Sequence, residues 1–400
     1  MNNEENWLIA VTAGKWQRQG IREARALGLK VLAIDSDPHA EGFIDADKKI
    51  VSSFVDYTKV IDAVRNTGLN IRGAVSFCSE VGMELASIIN QELGLPGLRP
   101  ELCQRLVDKA LQRKIWTENN IPGPRWEVYN DIDKAIAAID IFGFPLVVKP
   151  SDSSGSRGVT ILESSQEDIN GALNRAYQYS RNGNILIESY MNGTEYTVET
   201  FGCNGKIHVL AVTEKKKIEG TRGTVAYELA TPDISDEIVM QITDVVKDSY
   251  IALGYMEGPG HAEVILKDDD SVGMVEVAGR GGGFMVFDRF VPKVSGVNLP
   301  RLTILHAIGE DIGGIVITEK AAVLRFIPTR PGLLKSISGI EVANALTGVD
   351  ADTFVQVGAT FVAAETDADR LGYILSCANT PSLAQEIANE AELLIHFEIG

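Results

Sequence analysis

The chain has 400 residues, of which 45% are hydrophobic and 23% are charged, and its formal net charge is −18. This length exceeds the roughly 250–300 residues at which a single hydrophobic core stops growing, so we expect two or three packed subdomains. The acidic balance argues against a nucleic-acid partner, which needs a concentrated basic surface, and no apolar run approaches the ~18 residues of a membrane span.

The first residues, MNNEENW, are acidic and lead straight into a strand-like run, which is not typical of a signal or transit peptide. A cytoplasmic location without a membrane partner is therefore predicted. The four cysteines show no short metal-ligand spacing, and a chain of this size needs no disulfides. We interpret them as buried thiols: Cys78, Cys103, Cys203 and Cys377.

The N-terminal quarter of the chain alternates strand-like and helix-like segments. Strands are predicted over 7–14, 30–35 and 73–77, and helices over 17–27 and 57–66. This alternation is typical of a parallel sheet that is covered on both faces by helices. The segment is interpreted as scaffold with part of a substrate cleft.

A dinucleotide or Walker-type site in this segment is the alternative. Asp35 lies about 20 residues beyond the strand-terminal Gly14, as in dinucleotide-binding units, but Gly14 and Gly20 do not form G-x-G-x-x-G. Lys15 follows Gly14, but no glycine stands five positions before Gly14 and Trp16 replaces the hydroxyl residue. Both motifs are therefore disfavoured.

Further helices and a buried strand are predicted in the middle of the chain. A long helix over 101–119 is stopped by Pro122 and Pro124, and an amphipathic helix over 132–139 is broken at Gly143. The short apolar run after it, from 146 to 149, is predicted to be a buried strand.

Residues 146–162 together form a pattern of strand, loop rich in serine and glycine, and strand. Gly155 and Gly158 allow backbone N–H groups to approach an anion closely, and Lys149 and Arg157 supply positive charge. Such a loop can close over phosphates. A solvated hairpin turn is the alternative interpretation.

The next segment, 184–195, is an apolar strand that leads through a polar link into another strand. Its residues 187–195, IESYMNGTE, match the hinge (I/V)-E-x-(Y/F)-(I/M)-x-G-x-E of the ATP-grasp superfamily. The strand lysine Lys149, the glycine-rich hairpin and two acids further on follow the family's order. The chain therefore resembles the ATP-grasp carboxylate–amine ligases.

The resemblance implies an α/β fold with an α+β C-terminal part. It places a Rossmann-like parallel-sheet subdomain at 1–105, an ATP-grasp domain with antiparallel sheets at 106–320 and a β-rich C-terminal lid at 321–400. Within the ATP-grasp domain, it implies a small lid subdomain at about 122–190 and a larger catalytic part at 191–320.

The C-terminal lid has its own predicted elements. Strands are expected over 322–327, 358–364 and 370–377, followed by a closing helix from 381 to about 392. They resemble the antiparallel lid of the carboxylase-like ATP-grasp branch.

By the resemblance, ATP is bound by the hairpin, the hinge and the helix before them. Lys109 and Lys149 contact the phosphates, the hinge backbone offers one donor and one acceptor to the adenine edge, and Glu195 accepts from the ribose hydroxyls. The full predicted set is Lys109, Lys149, Ser154, Gly155, Ser156, Glu188, Ser189, Tyr190, Met191 and Glu195.

An acidic turn at 268–270 separates two strands, and antiparallel pairing about it predicts their register. Leu266 then faces Gly273, and Glu263 faces Glu276. Opposed residues have Cβ atoms roughly 4.5–5.5 Å apart, a distance at which like charges are destabilising unless something compensates them. The opposite face would turn four side chains into the core: Val264, Leu266, Val275 and Val277.

Glu263 and Glu276 are therefore predicted to bind Mg²⁺, or Mn²⁺, with the phosphates of ATP, because hard carboxylate oxygens without a histidine or cysteine cluster suit these ions. Many ATP-grasp proteins have asparagine two residues after the second acid. This chain has Ala278 there, so a third metal contact is expected to be missing. A solvent-facing polar strand edge is the alternative.

The segment Arg280-Gly-Gly-Gly-Phe284 follows directly. Arginine offers a planar fork to carboxylate or phosphoryl oxygens, and the glycines let a substrate approach the backbone. A salt bridge to one of the acids is the alternative role for Arg280. Likeness to L-amino-acid ligases implies that Arg280 meets the substrate carboxylate and that Phe284 limits the amino-acid pocket.

Catalytic roles are accordingly predicted for Arg280 and Lys149. The predicted substrate-binding residues are Arg280, Gly282, Gly283, Phe284, Lys215 and Arg222. For the last two, a solvated charge run is the simpler interpretation. His261 and His306 are candidate general bases, and a structural role is the simpler interpretation for both.

The predicted activity is the ATP-dependent joining of a small carboxylate to an amine, through an acyl phosphate and with release of ADP and phosphate. The carboxylate is expected to be an amino acid or similar acid, and a homodimer is the suggested assembly. The alternatives are a ligase of purine-type metabolism that uses bicarbonate or a phosphoribosylamine, and a nucleotide-binding protein without turnover. The sequence does not identify the acid or the amine.

Overall fold

The computed structural model describes residues 5–218, 225–364 and 366–400, apart from the side chain of Asp140. These residues form one parallel sheet at the N-terminus and three antiparallel sheets after it. The predicted fold class is confirmed. Nothing in the structure tests the predicted boundaries at 105 and 320, which stay predictions.

The N-terminal sheet has the strand order β3-β2-β1-β4. Its strands are β1 (Asn6–Val11), β2 (Lys30–Asp35), β3 (Lys48–Val51) and β4 (Asn70–Val75), and its helices are α1 (Arg18–Ala26), α2 (Tyr57–Asn66) and α3 (Glu80–Glu92). Helices cover both faces of the sheet, so adjacent side chains of one strand, such as Leu8 and Ile9, are both fully buried. The carboxyl ends of β1 and β4 face the rest of the chain.

Two helices, α4 (Pro100–Val107) and α5 (Lys109–Glu118), lead out of this subdomain. The prediction of a single helix over 101–119 is therefore wrong. The backbone of Asp108 is extended, and its side chain caps α5 by accepting from two N–H groups of the first turn. The break places Lys109 at the first position of α5.

The second sheet is antiparallel and has the order β5-β8-β6-β7. Its strands are β5 (Trp126–Tyr129), β6 (Leu146–Pro150), β7 (Thr160–Leu162) and β8 (Ile185–Ser189), and helices α6 (Ile132–Phe142) and α7 (Ile169–Tyr179) pack on one face. The predicted strand at 146–149 and the serine-rich loop between two strands are confirmed.

The third sheet has eight strands in the order β13-β12-β9-β10-β11-β14-β18-β16. The strands before residue 320 are β9 (Gly193–Cys203), β10 (Lys206–Lys217), β11 (Ala226–Ala230), β12 (Gly258–Lys267) and β13 (Val272–Ala278). Helices α8 (Asp236–Leu253), α9 (Val291–Ser295) and α10 (Leu299–Ala307) accompany them.

The C-terminal residues continue this sheet and add a small one. They form β14 (Ala321–Pro328), β15 (Gly332–Ser338), α11 (Ile340–Asn344), β16 (Val349–Thr353), β17 (Thr360–Phe361), β18 (Arg370–Ala378), α12 (Pro381–Leu394) and β19 (His396–Ile399). The strand predicted over 358–364 is wrong in extent, because only two of its residues pair with β15. Strands β15, β16 and β19 escaped prediction.

Within the three described ranges, no helix is both long and apolar enough to cross a membrane.

Candidate active site

The centre of the site is a pair of carboxylates, Glu263 on β12 and Glu276 on β13. The two residues face each other in the antiparallel register, as predicted. The turn-proximal half of the predicted register is wrong, because Leu266 pairs with Val272 rather than with Gly273. A β-bulge at Val275 accounts for the shift.

The bulge changes which side chains reach the core. Met274 pairs with Val264 and is fully buried, whereas Val275 is only half-buried. Val275 was predicted to pack in the core, so that assignment is wrong. A bulge places two residues of one strand opposite one residue of its partner. Val275 is the extra residue here, and its side chain therefore lies on the accessible side, next to Glu276.

Each member of the carboxylate pair holds a lysine. Lys109 Nζ lies 2.9 Å from Glu276 and donates to the carbonyl of Ser153 at 2.7 Å. Lys215 Nζ lies 3.1 Å from Glu263. Burial lowers the pKa of both lysines, but the neighbouring carboxylates outweigh it and raise both above the ordinary value. Both lysines are therefore cationic and directed at the pair.

A histidine completes the charge around Glu263. His261 forms a close ion pair with the fully buried Glu199, and its other ring nitrogen lies 3.8 Å from Glu263. Burial alone would lower the pKa of His261, but Glu199 raises it to about 9. Burial likewise raises the pKa of Glu263, but Lys215 and His261 hold it well below the usual value.

The donor set fits a divalent cation that is carried by phosphates. Two hard carboxylates face each other, and burial makes any uncompensated charge between them costly. Among the described residues, no group of three or more histidine, cysteine, aspartate or glutamate side chains is arranged to hold a metal. The remaining ligands of Mg²⁺ would therefore be phosphate oxygens and water, and Ala278, which is buried beside His261 in the ladder, adds none.

A buried triad of Lys149, Glu188 and Arg113 lies in the second sheet and α5. Both cations are 2.7 Å from the Glu188 carboxylate, and all three side chains are at most 6% exposed. Burial raises the pKa of Glu188, but Arg113 and Lys149 bring it below its usual value. The pKa of Lys149 is lowered, chiefly by burial. The Glu188 side chain is thus committed to the triad.

Between Glu188 and Met191, the hinge backbone has one N–H group without a hydrogen-bond partner among the described residues. Ser189 donates to Arg125 at 2.9 Å and Tyr190 donates to Pro145 at 3.2 Å, so the N–H of Met191 remains for a ligand. A cavity of about 360 Å³ lies against this hinge. It is lined by Gly123, Pro124, Ser189, Tyr190, Met191, Asn192, Lys267, Asp268 and Asp269.

Half-buried apolar side chains flank the charged groups. Val147 precedes Lys149 by two residues and Ile265 follows Glu263 by two, so each shares a strand face with its charged neighbour. Gly273 pairs with Ile265, and the sulfur of Met191 packs against it. A Cβ added to Gly273 would lie only 2.5 Å from that sulfur. Met191 and Ile265 thus place apolar side chains between the hinge and the carboxylate pair.

The loop between β6 and β7 holds three predicted phosphate contacts: Ser154, Gly155 and Ser156. Gly155 and Ser156 both have positive φ, of 64° and 56°. Arg157 donates to the Ser154 carbonyl at 3.0 Å. Lys109 donates to the carbonyl of Ser153 at the start of this loop and also pairs with Glu276. One lysine therefore connects the loop to the carboxylate pair.

Arg280 lies at the junction with the N-terminal subdomain. Its guanidinium is 2.7 Å from Glu80, at the start of α3, so Arg280 does form a salt bridge, but with Glu80 and not with one of the two acids of the pair as the alternative had it. Burial lowers the pKa of Arg280, but Glu80 and Glu276 raise it overall. The buried Nε–H of Arg280 finds no hydrogen-bond partner within the part of the chain that the structure describes.

The glycine segment after Arg280 is closely packed. A Cβ at Gly282 would lie 2.6 Å from the carboxylate of Glu199, which accepts the Gly282 N–H at 2.9 Å. Gly283 has open space around it. Phe284 has φ 51°, and its ring lies 5.1 Å from that of Trp16. Trp16 follows β1, so this segment contacts the carboxyl end of the parallel sheet.

The structure separates the remaining candidates. Lys215 is not part of a solvated charge run, because it bridges Glu195 at 2.6 Å and Glu263 at 3.1 Å. Glu195 therefore lies beside the carboxylate pair, one lysine away. His306 lies apart, edge-on to Phe201. Arg222 lies outside the described residues.

Sequence reasoning missed Arg113, Glu80 and Glu199. Arg113 follows Lys109 by four residues and so shares its helix face, a spacing that was visible in the sequence. Glu80 lies just after β4, where the strand order of the parallel sheet reverses, which is where such sheets bind ligands. Glu199 had no such signal, because its partners are distant in sequence.

Comparison with known proteins agrees with this geometry. Residues 142–288 match the model of the ATP-grasp domain, and residues 325–400 match that of L-amino acid ligase C-terminal domain 2. An uncharacterized protein of Sinorhizobium fredii is 27% identical over 399 residues, covering 96% of this chain and 80% of that protein.

Two solved structures show the same fold over essentially the whole chain. An L-amino acid ligase from Bacillus licheniformis superposes with a TM-score of 0.83 at 22% identity, covering 100% of both chains. Phosphoribosylglycinamide synthetase from Anaerococcus prevotii gives 0.78 at 21% identity, covering 99% of this chain and 100% of that one.

The fold, the hinge and the matched domain define an ATP-grasp protein. Within that class, the chain carries an ATP-grasp domain at residues 142–288 and is similar at residues 325–400 to the C-terminal domain of L-amino acid ligases.

Proposed function

We propose that this enzyme activates the carboxylate of an amino acid, or of a similar small acid, as an acyl phosphate and transfers the acyl group to an amine. The observation that carries the proposal is the facing pair Glu263 and Glu276, set between two cationic lysines and beside Arg280. The match of residues 325–400 to a domain of L-amino acid ligases supports the amino-acid substrate.

Each group has a role that its contacts support. Lys109 and Lys149 bind the phosphates of ATP, with Ser154, Gly155 and Ser156 closing over them. The hinge from Glu188 to Met191 holds the adenine through the free Met191 N–H, and Glu195 accepts from the ribose hydroxyls. Arg280 binds the substrate carboxylate next to Gly282, Gly283 and Phe284.

In this arrangement the carboxylate oxygen attacks the γ-phosphorus, and ADP leaves with the bond electrons. The amine then attacks the acyl carbon, loses a proton and expels phosphate. The lysines and Arg280 stabilise the charge on the transferring group, so catalysis comes from positioning and electrostatics. A Mg²⁺ or Mn²⁺ ion held by Glu263 and Glu276 would neutralise phosphate charge.

A second candidate is a ligase that uses a phosphoribosylamine, favoured by the structural likeness to phosphoribosylglycinamide synthetase. A homodimer stays a prediction, as do the cytoplasmic location and the two catalytic assignments. A nucleotide-binding protein without turnover is disfavoured, because Glu263 and Glu276 face each other and Lys109 is paired with Glu276.

The test is ADP and phosphate release from ATP and Mg²⁺ with a panel of L-amino acids. We expect release only when an acid and an amine are present, and none from Glu276→Gln. Glu276→Gln activity equal to wild type would overturn the proposal. Release that depends on bicarbonate or on a phosphoribosylamine, and not on amino acids, would favour the second candidate.

A further inference from the structure

A buried arginine with unused hydrogen-bond donors lies against the glycine segment. Arg370 is the first residue of β18 and is 4% exposed. Its Nη2 donates to Asp367 at 2.6 Å and to the carbonyl of Ala226 at 3.2 Å. Its Nε and Nη1 have no hydrogen-bond partner within the described ranges. Three of the five N–H groups of this guanidinium, one on Nε and two on Nη1, are therefore unused.

Two aromatic rings hold the guanidinium of Arg370 in place. Its Cζ is 4.4 Å from the ring centre of Phe284 and 3.5 Å from that of Phe326. Phe284 ends the segment that starts at Arg280, and its ring also contacts Trp16. Aromatic faces attract a flat guanidinium by cation–π contacts, whereas its N–H groups point outward in its own plane. The rings therefore position Arg370 at the end of the glycine segment and leave its unused N–H groups for a ligand.

The charge of Arg370 is only partly balanced. Asp367 is its one ion-pair partner among the residues that the structure describes, and 31% of that side chain is exposed. Asp367 also accepts the N–H of Ala226 at 2.9 Å. Burial lowers the pKa of Arg370 to about 10, with Asp367 acting in the opposite direction. A second anion would therefore stabilise the cation, and one partly exposed side chain separates it from solvent.

A second buried arginine in the same sheet shows how a structural arginine is bonded. Arg325 on β14 is 3% exposed, and each of its three nitrogens donates to a different side chain. The acceptors are Glu228 at 2.7 Å, Glu392 at 2.5 Å and Asn389 at 2.9 Å. Arg370 lies on the neighbouring strand with one nitrogen bonded. Burial in this sheet thus does not by itself account for unused donors, which a ligand would explain.

We infer that Arg370 binds a carboxylate of the amine substrate, and so makes the enzyme select amines that carry this negative charge over neutral amines. Phe284 is the proposed limit of the pocket for the acid, so a group that Arg370 holds past this ring belongs to the second substrate. The N–H groups of a guanidinium match carboxylate oxygens in geometry and charge. The inference rests on the proposed function, to which it adds the class of amine.

The test compares amines that differ only in this charge. A panel of acids is first screened with hydroxylamine, which reacts with the acyl phosphate to give a hydroxamate and so reports acid activation alone. The full-length enzyme is then given ATP, Mg²⁺, an activated acid and one amine, and the coupled product is quantified by mass spectrometry. The amines are used in matched pairs: glycine with glycinamide, L-alanine with L-alaninamide, and L-phenylalanine with L-phenylalaninamide.

We expect wild type to have a KM for each amino acid that is about 10- to 100-fold below that for its amide, the range for one hydrogen bond to a charged group. Arg370→Met removes the charge and should raise the KM for the amino acids by that factor, with the KM for the amides and for ATP unchanged. Arg370→Lys, which keeps the charge, should retain part of the preference. Arg301→Lys, at an exposed position of α10, is the matched control and should behave as wild type.

The outcomes separate the inference from the proposed function. If wild type forms no hydroxamate from any acid of the panel, the proposed function fails and the inference fails with it. If wild type activates acids but couples amides as readily as amino acids, the inference alone is overturned. It is also overturned if Arg370→Met keeps the preference for amino acids, or if this variant raises the KM for both members of a pair equally, as the loss of a purely structural contact would.

Discussion

At the scale of single residues, Glu188 joins two buried cations that pair with no other carboxylate among the described residues. Lys149 and Arg113 each lie 2.7 Å from it. Glu188→Gln keeps the shape and removes the charge, leaving both cations buried and unpaired. Breaking a buried pair in this way costs about 3–5 kcal/mol. We expect a loss of that size in the free energy of unfolding, measured by urea denaturation at pH 7.

The control for this measurement is an exposed ion pair. Asp244 lies 3.3 Å from Lys247 on the surface of α8. Exposed pairs contribute about 0–1 kcal/mol, so Asp244→Asn should unfold nearly as wild type does. If Glu188→Gln proves as stable as Asp244→Asn, the prediction is wrong, and the three side chains of the triad are accessible to water in solution.

Asp288 gives a prediction for the dependence of stability on pH. Burial raises its pKa from 3.8 to about 6, with the adjacent Arg289 acting in the opposite direction. The unfolded chain therefore ionises first, so this group contributes a stabilisation below about pH 4 that is lost as pH rises through 6. Relative to Asp288→Asn, wild type should lose on the order of 2–3 kcal/mol of unfolding free energy between pH 4 and 7.

The measurement compares urea denaturation of both proteins at several pH values. The charge that acts on Asp288 is that of Arg289, which stays ionised over this range, and the thiol of Cys78, whose pKa burial raises to about 12, stays neutral. A difference between the two proteins that does not change with pH would contradict the prediction.

At the scale of elements, helix α5 covers the free edge of the eight-stranded sheet. β13 is the edge strand, and Gln112 bonds both backbone groups of Val277, accepting from its N–H at 3.3 Å and donating to its carbonyl at 2.8 Å. Glu276 is the preceding residue, so the same helix that carries Lys109 holds the second metal-facing acid in place.

Gln112→Leu keeps the side-chain size but leaves the two Val277 groups buried without partners. We expect a loss of about 1–3 kcal/mol in unfolding free energy and a higher requirement for Mg²⁺ in ATP turnover. Gln104→Leu, at an exposed position of α4, is the control and should change neither quantity. An unchanged Mg²⁺ requirement in Gln112→Leu would show that β13 keeps its position without the helix.

The order of elements and the facing carboxylates followed from the sequence, because apolar periodicity and like charges at a hairpin leave few alternatives. Two of the wrong predictions are the single helix over 101–119 and the register near the turn, and each error depends on one residue. Asp108 splits a continuous helical pattern by capping, and the bulge at Val275 shifts a register without changing the Glu263 and Glu276 pairing. Polarity patterns do not distinguish a capped break from a helix, or a bulge from a regular ladder.

Pairings that are distant in sequence escaped prediction for a different reason. Glu80 meets Arg280 across 200 residues, and Glu199 meets His261 across 62. The packing of the N-terminal subdomain on the eight-stranded sheet brings the first pair together, and the pairing of β9 with β12 brings the second together. The site is therefore a property of the assembled molecule, whereas its motifs belong to short segments.

At the scale of the whole molecule, the eight-stranded sheet crosses the predicted boundary at 320. β11 pairs with β14, and the buried Glu228 binds Arg325 across that boundary at 2.5 Å. The core that contains Phe287 and Phe290 also contains Leu324 and Phe326. The C-terminal residues thus complete both a sheet and a core that begin before residue 320.

A fragment of residues 1–320 should therefore not fold as a cooperative unit, whereas the full chain should unfold in one transition that includes both parts. The fragment exposes the edge of β11, leaves Glu228 without Arg325 and uncovers apolar side chains around Phe287. Calorimetry and near-ultraviolet circular dichroism of both proteins test this. A fragment with a sharp transition and native aromatic signals would show that the C-terminal lid is an independent addition, and that residues 1–320 already form the complete ligase core.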